Sequence, residues 1–191
     1  MNRRTTESLR EDMQRVLRGR SLVLIGLMGA GKTTVGRRLA QRLDLPFADA
    51  DQEIEKAAGK TIPEIFEDHG EEHFRDGERR VIARLLESGQ QVIATGGGAY
   101  MNEDTRQNIS DNAISIWLRA DFDLLMKRVR RRSHRPLLQT ADPEAVMRKL
   151  IDERYPVYAQ ADLAVDSRDV PHNAIVKDVI QALFDAEALQ R

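Results

Sequence analysis

The stretch Leu22-Val23-Leu24-Ile25-Gly26-Leu27-Met28-Gly29-Ala30-Gly31-Lys32-Thr33 decides the fold. From Gly26 to Thr33 it fits the phosphate-binding pattern G-x-x-x-x-G-K-[ST] without a gap. The apolar run before it reads as a strand, and Thr34 to Leu43 after it reads as an amphipathic helix. That strand–loop–helix setting is what the motif requires. Gly26, Gly29 and Gly31 let the backbone turn tightly, so that successive N–H groups face a polyphosphate at a helix N-terminus. Lys32 reaches the outer phosphates and the Thr33 hydroxyl suits Mg²⁺. The expected ligand is a nucleoside triphosphate.

From Ser21 onward, strand and helix patterns alternate. Strands are expected at Leu22–Ile25, 46–49, 91–95, 113–118 and 161–165. Helices are expected from Thr33 to Leu43, after Asp51, from Thr61 with capping-box spacing to Glu64, and from Glu71 to Glu87. Others run from an Asp121 cap to about Arg132, from Asp142 to Tyr155, and over 173–189. About five strands, each followed by helix, mean an α/β fold with a parallel sheet covered on both faces.

Residues 1–20 stand apart as an N-terminal helical extension, and 21–191 form a single domain. In the extension, Leu9, Met13, Val16 and Leu17 share one helical face, with Ser8 and Glu11 spaced as a capping box. It reads as an extra helix docked on the surface.

Composition excludes several classes. At 191 residues, 41% hydrophobic and 32% charged, the chain suits one soluble domain with a real core. A net charge of −1 gives no support to nucleic-acid binding, and no apolar run is long enough to span a membrane. The absence of cysteine rules out disulfides and thiolate zinc sites. The N-terminus lacks a signal-peptide apolar segment, so a cytoplasmic protein is expected.

Other residues carry chemistry around the loop. Asp49 and Asp51 end the second strand, where an open α/β sheet places its ligand crevice. Period-two spacing in an extended segment puts both carboxylates on one side, a costly pairing unless a cation or hydroxyl-bearing ligand sits between them. Alternatively, Asp51 only caps the helix that starts at Gln52. Gly96-Gly97-Gly98 follow the third strand and form a backbone platform for close approach. Arg135, in Arg135-Pro136-Leu137-Leu138, sits in a short loop suited to a lid that brings an arginine over phosphates. Lys127, Arg128, Arg130, Arg131 and Arg132 read as a solvated helix face, with a minor role in nucleotide binding as the alternative and no aromatic interleaving to support RNA binding. Arg75 and Arg154, each taken alone, read as surface ion pairs. His69, His73, His134 and His172 lack metal-ligand spacing and receive no role.

Taken together, these motifs resemble the shikimate kinase family. The phosphate loop, Asp49-x-Asp51, Phe74-Arg75-x-x-Glu78, the three glycines, Arg135-Pro136-Leu137-Leu138 and Glu153-Arg154-x-Pro156-x-Tyr158 occur in that family's order and approximate spacing. The resemblance covers about residues 20–186. It implies a P-loop kinase fold with a substrate-binding helical segment at about 52–87 and a lid at about 131–140. It implies ATP-dependent phosphorylation of the 3-hydroxyl of shikimate, giving 3-phosphoshikimate and ADP, within chorismate and aromatic amino acid biosynthesis. By that resemblance Gly29, Ala30, Gly31, Lys32, Thr33, Thr34 and Arg135 surround ATP, while Thr33 and Asp49 hold Mg²⁺. Asp51, Arg75, Gly97 and Arg154 bind shikimate, with Lys32, Asp51 and Arg135 as the catalytic set and Glu78 holding Arg75. A monomer is expected, with a small-molecule substrate and no nucleic-acid or membrane partner. Ser167-Arg168-Asp169-Val170 departs from the family pattern on the adenine side, where Arg168, Arg131 and Arg132 are the candidates.

The nearest competing reading is another small-molecule P-loop kinase such as a gluconate kinase. A GTPase-like switch needs D-x-x-G and N-K-x-D elements, and the sequence has neither.

Overall fold

The computed structural model describes residues 6–131 and 142–189. The elements are α1 (Thr6–Leu17), β1 (Ser21–Ile25), α2 (Lys32–Leu43), β2 (Phe47–Asp49), α3 (Ala50–Ala58), α4 (Ile62–Glu87) and β3 (Val92–Ala94). A 3₁₀ turn at Ala99–Met101 leads to α5 (Glu103–Asn112), β4 (Ala113–Arg119), α6 (Phe122–Arg130), α7 (Pro143–Tyr158), β5 (Leu163–Asp166) and α8 (His172–Leu189).

The five strands form one parallel sheet in the order β2-β3-β1-β4-β5. β1 lies at its centre, and Leu22 through Ile25 are fully buried, as expected for a strand with helices on both faces. The chain reaches β3 on one side of β1 and then crosses to β4 on the other. This reversal opens a crevice at the carboxyl end of β1, where a doubly wound sheet binds ligands. The phosphate-binding loop leaves β1 at that point. The alternating expectation from sequence therefore holds, and the element order fixes where a site forms.

Local signals explain most boundaries. Thr61 and Glu64 make the reciprocal capping box, with the Glu64 carboxylate 2.7 Å from both the Thr61 N–H and its hydroxyl. Gly70 adopts φ 80° and ψ 175°, a conformation few other residues tolerate, and it divides α4 into two straight helices. The Asp121 carboxylate accepts from the Leu124 N–H at 2.8 Å and starts α6.

Four expectations need correction. Helix α1 begins by Thr6, so Ser8 lies inside it and cannot be its cap, although Leu9, Met13, Val16 and Leu17 are buried against the domain. Helix α6 ends at Arg130. Helix α7 continues through Pro156 to Tyr158 instead of stopping at Tyr155. Proline costs that turn a hydrogen bond, but Tyr155 and Tyr158 pack against Trp117 with ring centroids 4.9 and 6.1 Å away and hold it helical. Helix α5 was not foreseen, because it buries only Thr105 and Ile109 and shows no apolar period. Its one readable signal is Asn102, whose side chain accepts from the Thr105 N–H at 2.9 Å.

Candidate active site

The loop from Gly26 to Thr33 hands over to α2 at Gly31, which occupies the N-cap position at φ 97°. That left-handed conformation is why glycine stands there. The Lys32 ammonium lies back across the loop, donating to the carbonyl oxygens of Gly26 at 2.7 Å and Leu27 at 3.1 Å. The Thr33 hydroxyl donates to Asp49 Oδ2 at 2.7 Å, joining the start of α2 to the end of β2.

Asp49, not Asp51, caps the next helix. Its Oδ1 accepts the Asp51 N–H at 3.2 Å, and α3 begins at Ala50. Asp51 is thus in the first helical turn, so the expected extended spacing is wrong although both carboxylates still line the cleft. The capping alternative for Asp51 is excluded.

The three glycines after β3 each face a charged side chain. A Cβ on Gly96 would stand 2.7 Å from Glu78 Oε1 and 2.8 Å from Asp51 Oδ1. One on Gly97 would stand 3.3 Å from Arg154 Nη1, and one on Gly98 would stand 2.6 Å from Arg75 Nη2. Any side chain at Gly96 or Gly98 would displace these groups. Arg75 and Arg154 come from α4 and α7, elements distant in sequence that converge on this platform.

Arg75 is held on its own helix by Glu78 at 2.7 Å and Glu71 at 3.2 Å. Burial lowers its pKa, but the two carboxylates outweigh that and raise it. Glu78 is only 3% exposed, and its Oε1 has no hydrogen-bond partner among the described residues. Burial pushes the Glu78 carboxyl up, Arg75 pulls it down, and nearby Asp51 pushes it up again, with burial the largest effect.

Arg128 departs from the reading of the basic stretch as a solvated face, while Lys127, Arg130 and Arg131 are exposed as expected. Its guanidinium donates to the Gly29 carbonyl at 3.2 Å, Ser167 Oγ at 2.8 Å and the Arg168 carbonyl at 2.8 Å. Burial lowers its pKa against the pull of Asp169 and Asp121. Ser167 in turn donates to the Ala30 carbonyl at 2.8 Å, so the phosphate loop is tied to the loop after β5. Sequence reasoning missed this because the bond partners are backbone carbonyls. By contrast, Lys127 pairs with Asp169 at 2.6 Å, and Arg168 pairs with Asp178 on the surface.

A cleft of about 420 Å³ unites these parts. Gly29, Gly31, Lys32, Thr33 and Thr34 line its floor, Asp49, Asp51, Gly96 and Gly97 one wall, and Lys127, Arg128 and Arg131 the other. His172, given no role from sequence, also lines it, beside Gly31. Arg75 and Arg154 meet the cleft at the glycines rather than lining it themselves. Arg132, Arg135 and the expected lid beyond Arg131 lie outside the described residues. Among the described residues no helix is long and apolar enough to cross a membrane, and no cluster of His, Cys, Asp and Glu could hold a metal by itself.

Fold and cleft together define the class: an α/β P-loop protein with a polar, charged pocket beside its phosphate loop. The sequence model of shikimate kinase matches residues 28–184. A shikimate kinase of Bradyrhizobium diazoefficiens is 63% identical over 172 residues, covering 90% of this chain and 83% of that protein. A structure described as shikimate kinase from Acinetobacter baumannii in complex with shikimate superposes with a TM-score of 0.84 at 37% identity, over 87% of this chain and 93% of that one. The chain belongs to the shikimate kinase family. A gluconokinase from Sinorhizobium meliloti 1021, at TM-score 0.61 and 18% identity over 90% of this chain and 96% of that one, shares the fold alone.

Proposed function

We propose that the cleft transfers the γ-phosphoryl group of ATP to the 3-hydroxyl of shikimate, with the following division of labour. One observation carries the assignment: Arg75, Arg154 and Asp51 each stand against a different glycine of the same three-residue platform. Two arginines side by side suit a carboxylate, which guanidinium groups bind through paired, charge-assisted hydrogen bonds. The adjoining carboxylate of Asp51 suits a hydroxyl. A small anion bearing both groups fits this arrangement better than any apolar compound. Membership in the shikimate kinase family, and the bound shikimate of the Acinetobacter baumannii protein, support shikimate over gluconate.

At the other end of the cleft Gly29, Gly31, Lys32 and Thr34 line the place for the phosphates, whereas the Ala30 N–H, expected there too, donates to the Leu27 carbonyl at 3.1 Å. Thr33 Oγ1 and Asp49 Oδ2 bring two hard oxygen donors within 2.7 Å of each other, which fits Mg²⁺ with water completing its shell. When bound, the ion neutralises charge on the transferred phosphoryl group. Asp51 accepts the hydrogen bond of the attacking hydroxyl and turns its oxygen toward the γ-phosphorus. The new phosphorus–oxygen bond forms as the bond to ADP breaks, the hydroxyl proton passes to the Asp51 carboxylate, and Lys32 and Arg135 offset the charge that develops.

The test is ADP release measured with ATP alone, with shikimate and with gluconate. Shikimate-dependent release, with none above background for gluconate, supports the assignment. Release that depends on gluconate instead overturns it.

A further inference from the structure

Helix α7 carries a second polar side chain one turn beyond Arg154. Residues four apart share a helical face, so Tyr158 lies over Arg154 on the side turned to the glycine platform. The Tyr158 hydroxyl donates a hydrogen bond to the carbonyl oxygen of Gly97. Arg154 approaches the same glycine from the Cα side, at 3.3 Å from the position a Cβ would take. It also exerts polar and electrostatic pull on the same hydroxyl. Two side chains from one helix turn therefore grip a single residue of the loop.

The tyrosine is placed rigidly. Its side chain is fully buried, and its ring sits among Trp117, Tyr155 and Tyr100 with centroids 6.1, 6.2 and 6.5 Å away. Phenylalanine would fill that space equally well. What tyrosine adds is one hydroxyl, and a buried hydroxyl is costly unless it is hydrogen-bonded. Burial pushes its pKa up against the pull of Arg154, which keeps the phenol protonated as a donor. The Gly97 carbonyl and the Gly98 N–H belong to one planar trans peptide, so fixing the first also fixes the second.

We propose that Tyr158 is a positioning residue for the carboxylate clamp, its hydroxyl locking the Gly97–Gly98 peptide and Arg154 into one arrangement. The inference rests on the reading of Arg75 and Arg154 as that clamp. Glycine-rich loops are cheap to reshape, so the clamp needs such a lock to be preorganised before substrate arrives.

Steady-state kinetics on Tyr158→Phe test this, with Tyr155→Phe as the matched control. Tyr155 is on the same helix and also donates to a backbone carbonyl, but to that of Ala120, outside the glycine platform. The expected result for Tyr158→Phe is a KM for shikimate raised about tenfold, the upper end for one neutral hydrogen bond, with KM for ATP unchanged. Tyr155→Phe leaves both KM values near those of the parent. With the methyl ester of shikimate, whose carboxylate charge is gone, the Tyr158→Phe penalty disappears. Equal losses for ATP and shikimate, an equal penalty on acid and ester, or equal effects in the two variants would make Tyr158 merely structural and overturn the proposal. Arg154→Lys separates the premises. If it raises KM for shikimate and Tyr158→Phe does not, the clamp stands and the inference falls; if it does not, both fall.

Discussion

Asp51 and Asp49 differ by two positions and by their surroundings. Asp49 bonds Thr33 through one oxygen and the Asp51 N–H through the other, and Asp51 Oδ1 lies beside Gly96 on the cleft wall. Their roles divide accordingly, and Asp51→Asn tests the division. It keeps size and one acceptor oxygen but removes the charge that orients the attacking hydroxyl. Groups that act in the transition state affect rate more than binding, so kcat falls by about 10²–10⁴-fold while the Kd for Mg·ATP, measured by calorimetry, stays close to that of the parent. Near-normal turnover would remove Asp51 from the chemistry. Arg75 invites a subtler test. Arg75→Lys keeps the charge but cannot span Glu78, Glu71 and a substrate carboxylate with one ammonium. The KM for shikimate rises about tenfold or more and that for ATP does not; the reverse pattern would move Arg75 out of the clamp.

Among the elements, α4 and α7 matter most because each delivers one arginine to the same platform. Gly70 lets the second half of α4 take its own direction, so Arg75 and Glu78 point to the glycines rather than continuing the line set from Thr61. The packing of α7 on Trp117 outweighs the proline within it. Helix α5 depends more on its cap, since it buries little of its own. Asn102→Ala removes the acceptor for the Thr105 N–H and costs about 1 kcal/mol, which for a chain of this size lowers Tm by about 2–4 °C. Differential scanning calorimetry reads this directly, and an unchanged Tm would show that packing alone sets that helix.

At the scale of the whole molecule, α1 extends the core. Met13 and Leu17 are each 1% exposed, and α1 packs against α2 and α8 while contributing nothing to the cleft. Met13→Ala leaves a cavity costing about 2–5 kcal/mol, so Tm falls by about 4–20 °C with KM values unchanged. A second global property is alkaline lability. Tyr155, half-buried, has its phenol pushed up to about 12 chiefly by burial. In the unfolded chain a tyrosine loses its proton near pH 10. Between about pH 10 and 12 the unfolded state therefore binds fewer protons than the native one, and stability falls as pH rises. Tyr155→Phe removes that contribution, so its Tm declines less steeply over the window than the parent's. Identical slopes would mean that the phenol titrates normally.

The alternation of apolar runs with amphipathic segments was enough to set the parallel sheet, because a strand buried on both faces must be apolar throughout, as Leu22 to Ile25 are. The phosphate loop was equally legible, since its chemistry resides in consecutive backbone N–H groups and so in contiguous residues. Asp51 was legible from its place at the end of the second strand beside the phosphate loop, whereas Arg75 and Arg154 were singled out by family resemblance; taken alone, the two arginines read as surface ion pairs. Their meeting on Gly96, Gly97 and Gly98 is a property of the strand order β2-β3-β1-β4-β5, which no local pattern encodes. The bonds that Arg128 and Tyr158 make were not legible for a related reason: although Tyr158 stands in the family motif, both side chains bond to main-chain carbonyls, and any residue can supply a carbonyl. Sequence thus determined the elements and the phosphate site, which depend on neighbours along the chain. Only the tertiary structure decided the substrate platform and its supports, which depend on residues brought together from far apart.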